Sequence, residues 1–208
     1  MKHSNTRVLV VDDHPIVRFG LAAMVSTQPD MAVVAQAGTG EESLQLFRRH
    51  QPDITLMDLR MPGMSGVEAI RAIRKEFPAS RFIVLTTYEG DEDIHNAIEA
   101  GAQAYLLKGM SQAELLKAIR VVRSGLKFIP DRVRKTLEAR PPSSELSARE
   151  MEVLDLIVKG LSNKQIADTL GITEGTVKWH VNIILSLLNV SDRTQAAVAA
   201  LQRGIVHI

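Results

Sequence analysis

The chain has 208 residues, of which 45% are hydrophobic and 24% are charged, and this is enough for two small domains with apolar cores. It contains no cysteine, which excludes disulfides, thiol nucleophiles and thiolate metal sites. The net charge of +1 neither supports nor excludes nucleic-acid binding. Because no apolar run approaches the length of a membrane span and the start lacks a signal-peptide pattern, we expect a soluble, cytoplasmic protein that does not bind membranes.

Short apolar runs alternate with longer amphipathic runs over residues 7–124. The apolar runs read RVLVV, MAVVAQ, DITLM, RFIVLTT and AYLL, and each is followed by a segment with helical periodicity. Ser65 with Glu68 and Ser111 with Glu114 have the spacing of capping boxes at helix starts. This alternation predicts an α/β domain in which helices cover both faces of a doubly wound, five-stranded parallel sheet.

The pattern changes after residue 124. Residues 125–145 are rich in proline and charge and predict a linker with one short helix. Residues 146–208 predict a small all-α domain of four helices, because helical segments follow four good N-cap residues and Gly171 lies where a tight turn needs positive φ. The four predicted caps are Ser147, Ser162, Thr173 and Ser191.

Acidic residues follow two strands of the predicted sheet. Asp12 and Asp13 come after the first strand, and Asp58 ends the third. The carboxyl ends of parallel strands meet at one edge, where ligands of open α/β sheets bind. Because crowded carboxylates repel one another, the arrangement favours a divalent cation with oxygen ligands, and Mg²⁺ is the expected ion.

A hydroxyl and an ammonium group are predicted at the same edge. Thr86 closes the fourth strand and Lys108 follows the fifth. Phosphoryl transfer to a carboxylate needs this set of groups, so we predict that Asp58 is the nucleophile and that Lys108 and Thr86 contact the phosphoryl oxygens. A single aspartate at a strand end is more often a cap or turn residue, but that explanation does not account for the whole set.

The segments VVDDHP, MDLRMPGMSG, VLTTY and GAQAYLLK resemble, in order and spacing, the receiver-domain motifs of two-component response regulators across residues 7–124. The resemblance implies a flavodoxin-like fold and a phosphoacceptor, Asp58, that takes its phosphoryl group from a sensor histidine kinase. It also implies that Asp13, Asp58 and the backbone carbonyl of Arg60 bind Mg²⁺ directly and that Asp12 binds it through water.

The same resemblance assigns a switch. Thr86 and Tyr105 form the switch pair, and Lys108 contacts the phosphoryl group. The sequence departs from the usual pattern at Gly109, where many receivers have proline after a cis peptide bond. Haloacid-dehalogenase-type phosphatases also use an aspartate nucleophile, but their motif needs a second aspartate where this chain has Arg60, so turnover of external phosphate esters is not expected.

Residues 146–206 resemble the LuxR-type helix-turn-helix of the NarL/FixJ class of response regulators. Independently, a helix over residues 163–170, a turn and a second helix from Thr173 have the spacing of a DNA-binding helix-turn-helix, although a plain helical bundle would show the same pattern. On the second helix the predicted core positions are Ile172, Val177, Val181, Ile184 and Leu188. The remaining positions predict contacts with double-stranded promoter DNA by Thr176, Lys178, Trp179 and Asn182.

Two positions depart from this pattern, because Ile183 replaces a typical Asn and Leu187 a typical Lys. They lie four residues apart, on one face of the helix. Residues 145–208 also hold only 6 Lys/Arg against 7 Asp/Glu, which weakens attraction to DNA. Neutral drift, a protein contact patch and a deliberate substitution in an engineered chain all remain open, with the contact patch slightly favoured.

The last helix, expected from Ser191 through Gln202, carries Thr194, Ala197, Val198 and Leu201 in helical phase. By resemblance, this face pairs two DNA-binding domains on a two-fold symmetric operator. Packing within the same domain is the alternative for each of these residues.

The expected function is phosphorylation-dependent transcriptional regulation. Phosphorylation of Asp58 would draw Thr86 inward, repack Tyr105, and cause homodimerisation and promoter binding. Beyond Mg²⁺-dependent self-phosphorylation and dephosphorylation at Asp58, no enzyme activity is expected. The alternative is a phosphorylation-gated interaction protein whose DNA binding is weakened or lost because of Ile183 and Leu187.

Overall fold

The structure is a computed structural model that describes residues 5–87, 90–138 and 146–207, apart from the side chains of Thr136 and Glu138. The chain divides into two compact units, one containing most of the residues up to 135 and the other mainly those from 136 onward. The boundaries 1–124, 125–145 and 146–208 stay predictions. Residues 139–145 of the predicted linker lie outside the described residues.

The first unit contains a parallel sheet of five strands in the order β2-β1-β3-β4-β5. This confirms the predicted α/β fold. Four of the strands are mostly buried, which explains their nearly continuous apolar sequences. The strands are β1 (Thr6–Val11), β2 (Met31–Ala37), β3 (Ile54–Asp58), β4 (Phe82–Thr86) and β5 (Ala104–Leu107).

Helices connect successive strands of the sheet. Leu21 and Val25 of α1 and Leu115 and Ile119 of α5 pack with one set of alternate strand residues into a buried cluster. A further helix, α6, follows in the region predicted as linker with a short helix. The helices are α1 (Pro15–Ser26), α2 (Gly40–His50), α3 (Gly66–Glu76), α4 (Asp91–Ala100), α5 (Gln112–Arg123) and α6 (Asp131–Glu138).

The predicted caps locate two of these helix starts. At α3 both halves of the capping box form, since the backbone N–H of Ser65 donates to Glu68 Oε2 over 2.9 Å and the N–H of Glu68 donates to Ser65 Oγ over 3.3 Å. At α5 the hydroxyl of Ser111 accepts from the N–H of Glu114 over 3.2 Å. These bonds satisfy N–H groups that lack partners within the helix.

The second unit contains the four predicted helices around one apolar cluster, whose buried members include Val153, Leu154, Ile166, Ile184 and Ala200. Gly171 has a φ of 66° and ends α8 as predicted. In the part of the chain described, no helix is both long and apolar enough to cross a membrane. The helices are α7 (Ala148–Val158), α8 (Asn163–Leu170), α9 (Glu174–Leu188) and α10 (Arg193–Gln202).

Three of the four predicted caps are confirmed, at Ser147, Ser162 and Thr173. The prediction of Ser191 as the fourth cap is wrong. The carboxylate of Asp192 accepts from the N–H of Gln195 over 2.9 Å, so α10 begins one residue later than Ser191 would allow. The N–H of Ser191 itself donates to Gln195 Oε1 over 3.0 Å.

Candidate functional site

Three charged side chains from three strand ends meet at the carboxyl edge of the sheet. Asp12 directly follows β1, Asp58 ends β3 and Lys108 directly follows β5. The ammonium Nζ of Lys108 lies 2.8 Å from Asp12 Oδ2 and 2.7 Å from Asp58 Oδ2. Asp12 is completely buried and Asp58 is 3% exposed. The parallel topology therefore brings together groups that are far apart in the sequence.

Burial and charge oppose each other in this cluster. Burial raises the pKa of Asp58; the hydrogen bond and charge of Lys108 counteract this without cancelling it, and the charge of Asp12 adds to the rise. Burial alone would lower the pKa of Lys108, but its hydrogen bonds to Asp12 and Asp58 outweigh that effect and raise the pKa. Lys108 is thus held as a cation beside two carboxylates.

The same edge offers a set of possible cation ligands. One ligand atom from each of Asp12, Asp13, His14 and Asp58 lies within 4.8 Å of the others. When ionised, the three carboxylates and the ammonium of Lys108 sum to −2, which a divalent cation balances. Carboxylate oxygens are hard ligands and suit Mg²⁺. The donor set therefore fits the predicted ion.

The sequence did not single out His14. Its Nδ1 lies 2.7 Å from Asp13 Oδ1, and its backbone N–H donates to Asp12 Oδ1 over 2.9 Å. The ring is largely exposed, so it borders the acidic cluster on the solvent side. The signal was its position directly after Asp13, at the point where α1 begins with Pro15.

Three further residues were predicted to belong to this site, namely Arg60, Thr86 and Tyr105. The backbone N–H of Arg60 is 3.4 Å from Asp58 Oδ1. Thr86 and Tyr105 are buried, and Tyr105 pairs with Val84, two residues before Thr86 on β4. Because side chains alternate along a strand, Thr86 and Tyr105 lie on the same face of the sheet.

The loop after β5 accommodates glycine in place of the usual proline. The Lys108–Gly109 peptide bond is trans. The N–H of Lys108 donates to the carbonyl of Thr86 over 2.8 Å. This bond fixes the start of the loop against the end of β4 while the ammonium reaches the two carboxylates.

The second unit exposes one side of α9. Lys178, Trp179 and Asn182 are exposed, with Trp179 at 59%, and Thr176 is partly exposed. Of the predicted core residues, Val177, Ile184 and Leu188 are buried, whereas Ile172 and Val181 are partly buried and pack against the same cluster. The predicted helical phase therefore agrees with the observed burial.

Sequence reasoning missed His180, a buried residue of α9. Its Nδ1 lies 2.7 Å from Oε1 of Glu150, which is also buried. The signal was its phase, since position 180 follows Val177 by three residues and precedes Ile184 by four. A polar residue in the core stripe implies a buried polar partner.

Two further predicted surfaces are neither fully buried nor fully exposed, namely the apolar pair Ile183 and Leu187 on α9 and the predicted pairing face of α10. Ile183 and Leu187 are partly buried. On α10 the buried residues are Ala196 and Ala200, neither of which was predicted to form the pairing face. Of the four that were, Ala197 packs partly against its own core, Leu201 is partly buried, and Thr194 and Val198 are exposed.

Comparison with known families assigns both units. Residues 8–120 match the model described as response regulator receiver domain, and residues 144–200 match that of bacterial regulatory proteins of the luxR family. The chain belongs to the response regulators. This regulator thus combines a receiver domain with a LuxR-type helix-turn-helix domain, and this favours the regulator interpretation over a phosphatase. Receiver domains bind Mg²⁺ at an acidic pocket of the kind found here.

Curated relatives match along almost the whole regulator. The transcriptional regulatory protein LiaR of Bacillus subtilis is 44% identical over 97% of this chain and 99% of its own length. The response regulator protein VraR of Staphylococcus aureus is 40% identical, with the same coverage. The regulator is accordingly a DNA-binding transcriptional regulator rather than a classical enzyme.

Solved structures of response regulators also superpose on this chain. The response regulator ChrA of a heme-sensing two-component system is 37% identical and superposes with a TM-score of 0.59 over 97% of this chain and 99% of that one. RcsB in its DNA complex is 26% identical and superposes with a TM-score of 0.69 over 96% and 99%. Both domains of the fold therefore have solved counterparts among response regulators.

Proposed function

We propose that Asp58 accepts a phosphoryl group from a sensor histidine kinase and that this modification controls pairing and promoter binding by the helix-turn-helix domain. The observation that carries the proposal is the position of the buried Asp58 carboxylate, 2.7 Å from the ammonium of Lys108 at the open edge of the sheet. A nucleophile and a fixed cation beside it are the groups that phosphoryl transfer to a carboxylate requires.

The transfer forms one bond to phosphorus and breaks another. One oxygen of Asp58 attacks phosphorus and forms an acyl phosphate, while the bond from phosphorus to the ring nitrogen of the kinase histidine breaks and that nitrogen keeps the electron pair. Lys108 compensates charge on the phosphoryl oxygens, and the hydroxyl of Thr86 hydrogen-bonds to one of them. Asp12, Asp13, Asp58 and the carbonyl of Arg60 would hold Mg²⁺, which supplies further charge compensation when bound.

Small phosphodonors need no kinase for the same attack, so we include self-phosphorylation at Asp58 in the proposal. Loss of the group occurs when water attacks the phosphorus and Asp58 leaves as a carboxylate. Both reactions act on the regulator's own side chain. Such chemistry sets the lifetime of a signal rather than turning over an external substrate.

In this proposal, α9 contacts the promoter DNA and α10 pairs two helix-turn-helix domains. Thr176, Lys178, Trp179 and Asn182 contact promoter DNA, since their outward side of α9 includes a cation, an amide and a large ring. Thr194, Ala197, Val198 and Leu201 pair two helix-turn-helix domains. Thr86 and Tyr105, on one face of the sheet, transmit the change from Asp58.

Phosphorylation and DNA binding are tested together. Wild type, Asp58→Asn and Asp30→Asn are incubated with acetyl phosphate and Mg²⁺, and intact mass and mobility shift on a duplex selected by the wild type from a randomised library are measured. We expect one added phosphoryl group and tighter DNA binding in wild type and Asp30→Asn, and neither in Asp58→Asn. Asp30 is a matched control because it forms a surface ion pair with Arg120.

Phosphoryl incorporation into Asp58→Asn at the wild-type rate would contradict the phosphoacceptor assignment. Phosphorylation of the wild type without any change in DNA affinity or oligomeric state would instead favour the alternative of a gated interaction protein.

A further inference from the structure

We infer that Glu150 and His180 are positioning residues that hold the exposed ring of Trp179 for DNA contact. The inference rests on the proposed function, in which Trp179 touches DNA. It concerns two buried residues, on α7 and α9, that form one chain of contacts ending at the protein surface.

The first contact in this series is made by the carboxylate of Glu150, which joins α7 to α9. Its Oε2 accepts from the backbone N–H of Ser147 over 3.0 Å and also from the Ser147 hydroxyl, which completes the cap of α7. Its Oε1 faces Nδ1 of His180 over 2.7 Å. One carboxylate thus links the first turn of α7 to the middle of α9, and each of its oxygens has a partner.

This link differs in kind from the other packing of α9. Val177, Ile184 and Leu188 pack against α7 and the rest of the core through apolar contacts, which are nondirectional and tolerate small rotations of a helix. The bond between Glu150 and His180 is directional, and both residues are buried. A misaligned α9 would leave a buried carboxylate and an imidazole unpaired, which is costly. The pair therefore fixes the rotation of α9 about its axis.

The ring of His180 in turn contacts the ring of Trp179. The two rings meet edge to face, with centroids 4.8 Å apart and an angle of 69° between their planes. This is a favourable arrangement for two aromatic rings. Because Glu150 holds the imidazole, the indole packs against a fixed surface while 59% of Trp179 stays exposed.

A side chain ordered before binding loses less conformational entropy when it binds. An exposed tryptophan without such support would sample several rotamers, whereas this one presents its free face in one direction. The contacts thus explain how a large apolar side chain serves as a recognition residue outside the core.

Trp179 is the only tryptophan of the chain, so its fluorescence reports on this site alone. The test uses the full chain treated with acetyl phosphate and Mg²⁺ and the duplex selected by the wild type. The variants are Trp179→Ala, His180→Gln and the double variant, with Asp155→Asn on α7 as the control. His180→Gln keeps a donor for Glu150 but removes the ring. Asp155 pairs with Lys159 at the surface.

We expect His180→Gln to weaken DNA binding about tenfold in the wild-type background and less than about twofold in the Trp179→Ala background. Its circular dichroism stays unchanged, while fluorescence anisotropy decay shows a more mobile indole. Asp155→Asn leaves affinity and indole mobility at wild-type values. If His180→Gln does not fold, Glu150→Gln is compared across the same two backgrounds.

Equal losses of affinity in both backgrounds would overturn the inference, because His180 would then act through general stability rather than through Trp179. An unchanged indole mobility in His180→Gln would overturn it too. If DNA leaves the tryptophan emission of the wild type unaltered and Trp179→Ala binds normally, the proposed DNA contact itself fails. The two failures are therefore distinguishable.

Discussion

The acidic edge of the sheet and the exposed side of α9 are organised in opposite ways. At the edge, the groups assigned to chemistry contact one another, and two of them, Asp12 and Asp58, are buried, while the side chain of Lys108 is 13% exposed. On α9 the groups assigned to recognition are exposed or, at Thr176, partly exposed, and the pair of Glu150 and His180 is buried. A substitution at the edge therefore changes both function and stability, whereas on α9 the two are separable.

The largest expected effect is at Lys108. In Lys108→Met with chelator present, two buried carboxylates lose their cation, and we expect a loss of about 3–5 kcal/mol in the free energy of unfolding near neutral pH. Urea unfolding measures it. The pKa of Asp58 is already raised, and loss of Lys108 raises it further. A carboxyl group with a raised folded-state pKa destabilises the fold when ionised, so the variant regains stability as the pH falls through that raised pKa and the group takes up its proton.

Two further variants test whether uncompensated buried carboxylates cause the loss of stability in Lys108→Met. Adding Asp58→Asn to Lys108→Met removes one of the uncompensated carboxylates and should restore much of the lost stability. Lys127→Met removes an exposed ammonium elsewhere and should stay near wild type at every pH. A small, pH-independent loss in Lys108→Met would mean that the cluster is more solvated than its burial indicates.

The next effect concerns Mg²⁺. If Mg²⁺ binds only the folded site, as proposed, it should raise the free energy of unfolding by about 2.7 kcal/mol at a free concentration of about 100 Kd. Thermal unfolding with and without Mg²⁺ measures the gain. Asp13→Asn should abolish it, and Asp30→Asn, which alters only a surface ion pair, should keep it. An equal gain in Asp13→Asn would exclude this carboxylate as a ligand.

The contrast also explains what the sequence could predict. At the edge, the parallel topology alone brings Asp12, Asp58 and Lys108 together, so the predicted parallel sheet and a few polar residues at strand ends were sufficient to locate the site. His14 was missed because an exposed residue beside a cluster has no periodic signal.

On α9, helical phase predicted the buried Val177 and the exposed Trp179. It did not reveal the link between His180 and Glu150, because the pairing of two helices depends on how they pack in three dimensions. Asp192 replaced Ser191 as a cap for a local reason, since two adjacent residues both suit that position and spacing alone does not choose between them.

DNA binding should depend weakly on salt. Lys164 and Lys178 are exposed and form no ion pair within the described part of the chain. By contrast, Lys159 pairs with Asp155, and Arg193 bonds to the turn before α8. Replacing Lys164 or Lys178 by alanine should reduce the slope of log affinity against log salt by about 0.9 per bound protomer. Titrations at several salt concentrations measure this.

Lys159→Ala is the matched control for the salt dependence, because Asp155 already neutralises its charge. It should leave the slope nearly unchanged. A full reduction in slope for Lys159→Ala, with none for Lys164→Ala, would show that the DNA backbone runs along a different side of the domain.

The smallest expected effect concerns Ile183 and Leu187. Both are partly buried and four residues apart on α9, so they form one partly exposed apolar surface, which contact with another molecule would cover further. In Ile183→Asn/Leu187→Lys we expect weaker self-association by sedimentation and a several-fold rise in DNA affinity, since the new ammonium adds a phosphate contact. Ser186→Ala, an exposed change on the same helix, should alter neither. If both quantities stay at wild-type values in the double variant, the contact patch is wrong and the two apolar residues are neutral replacements.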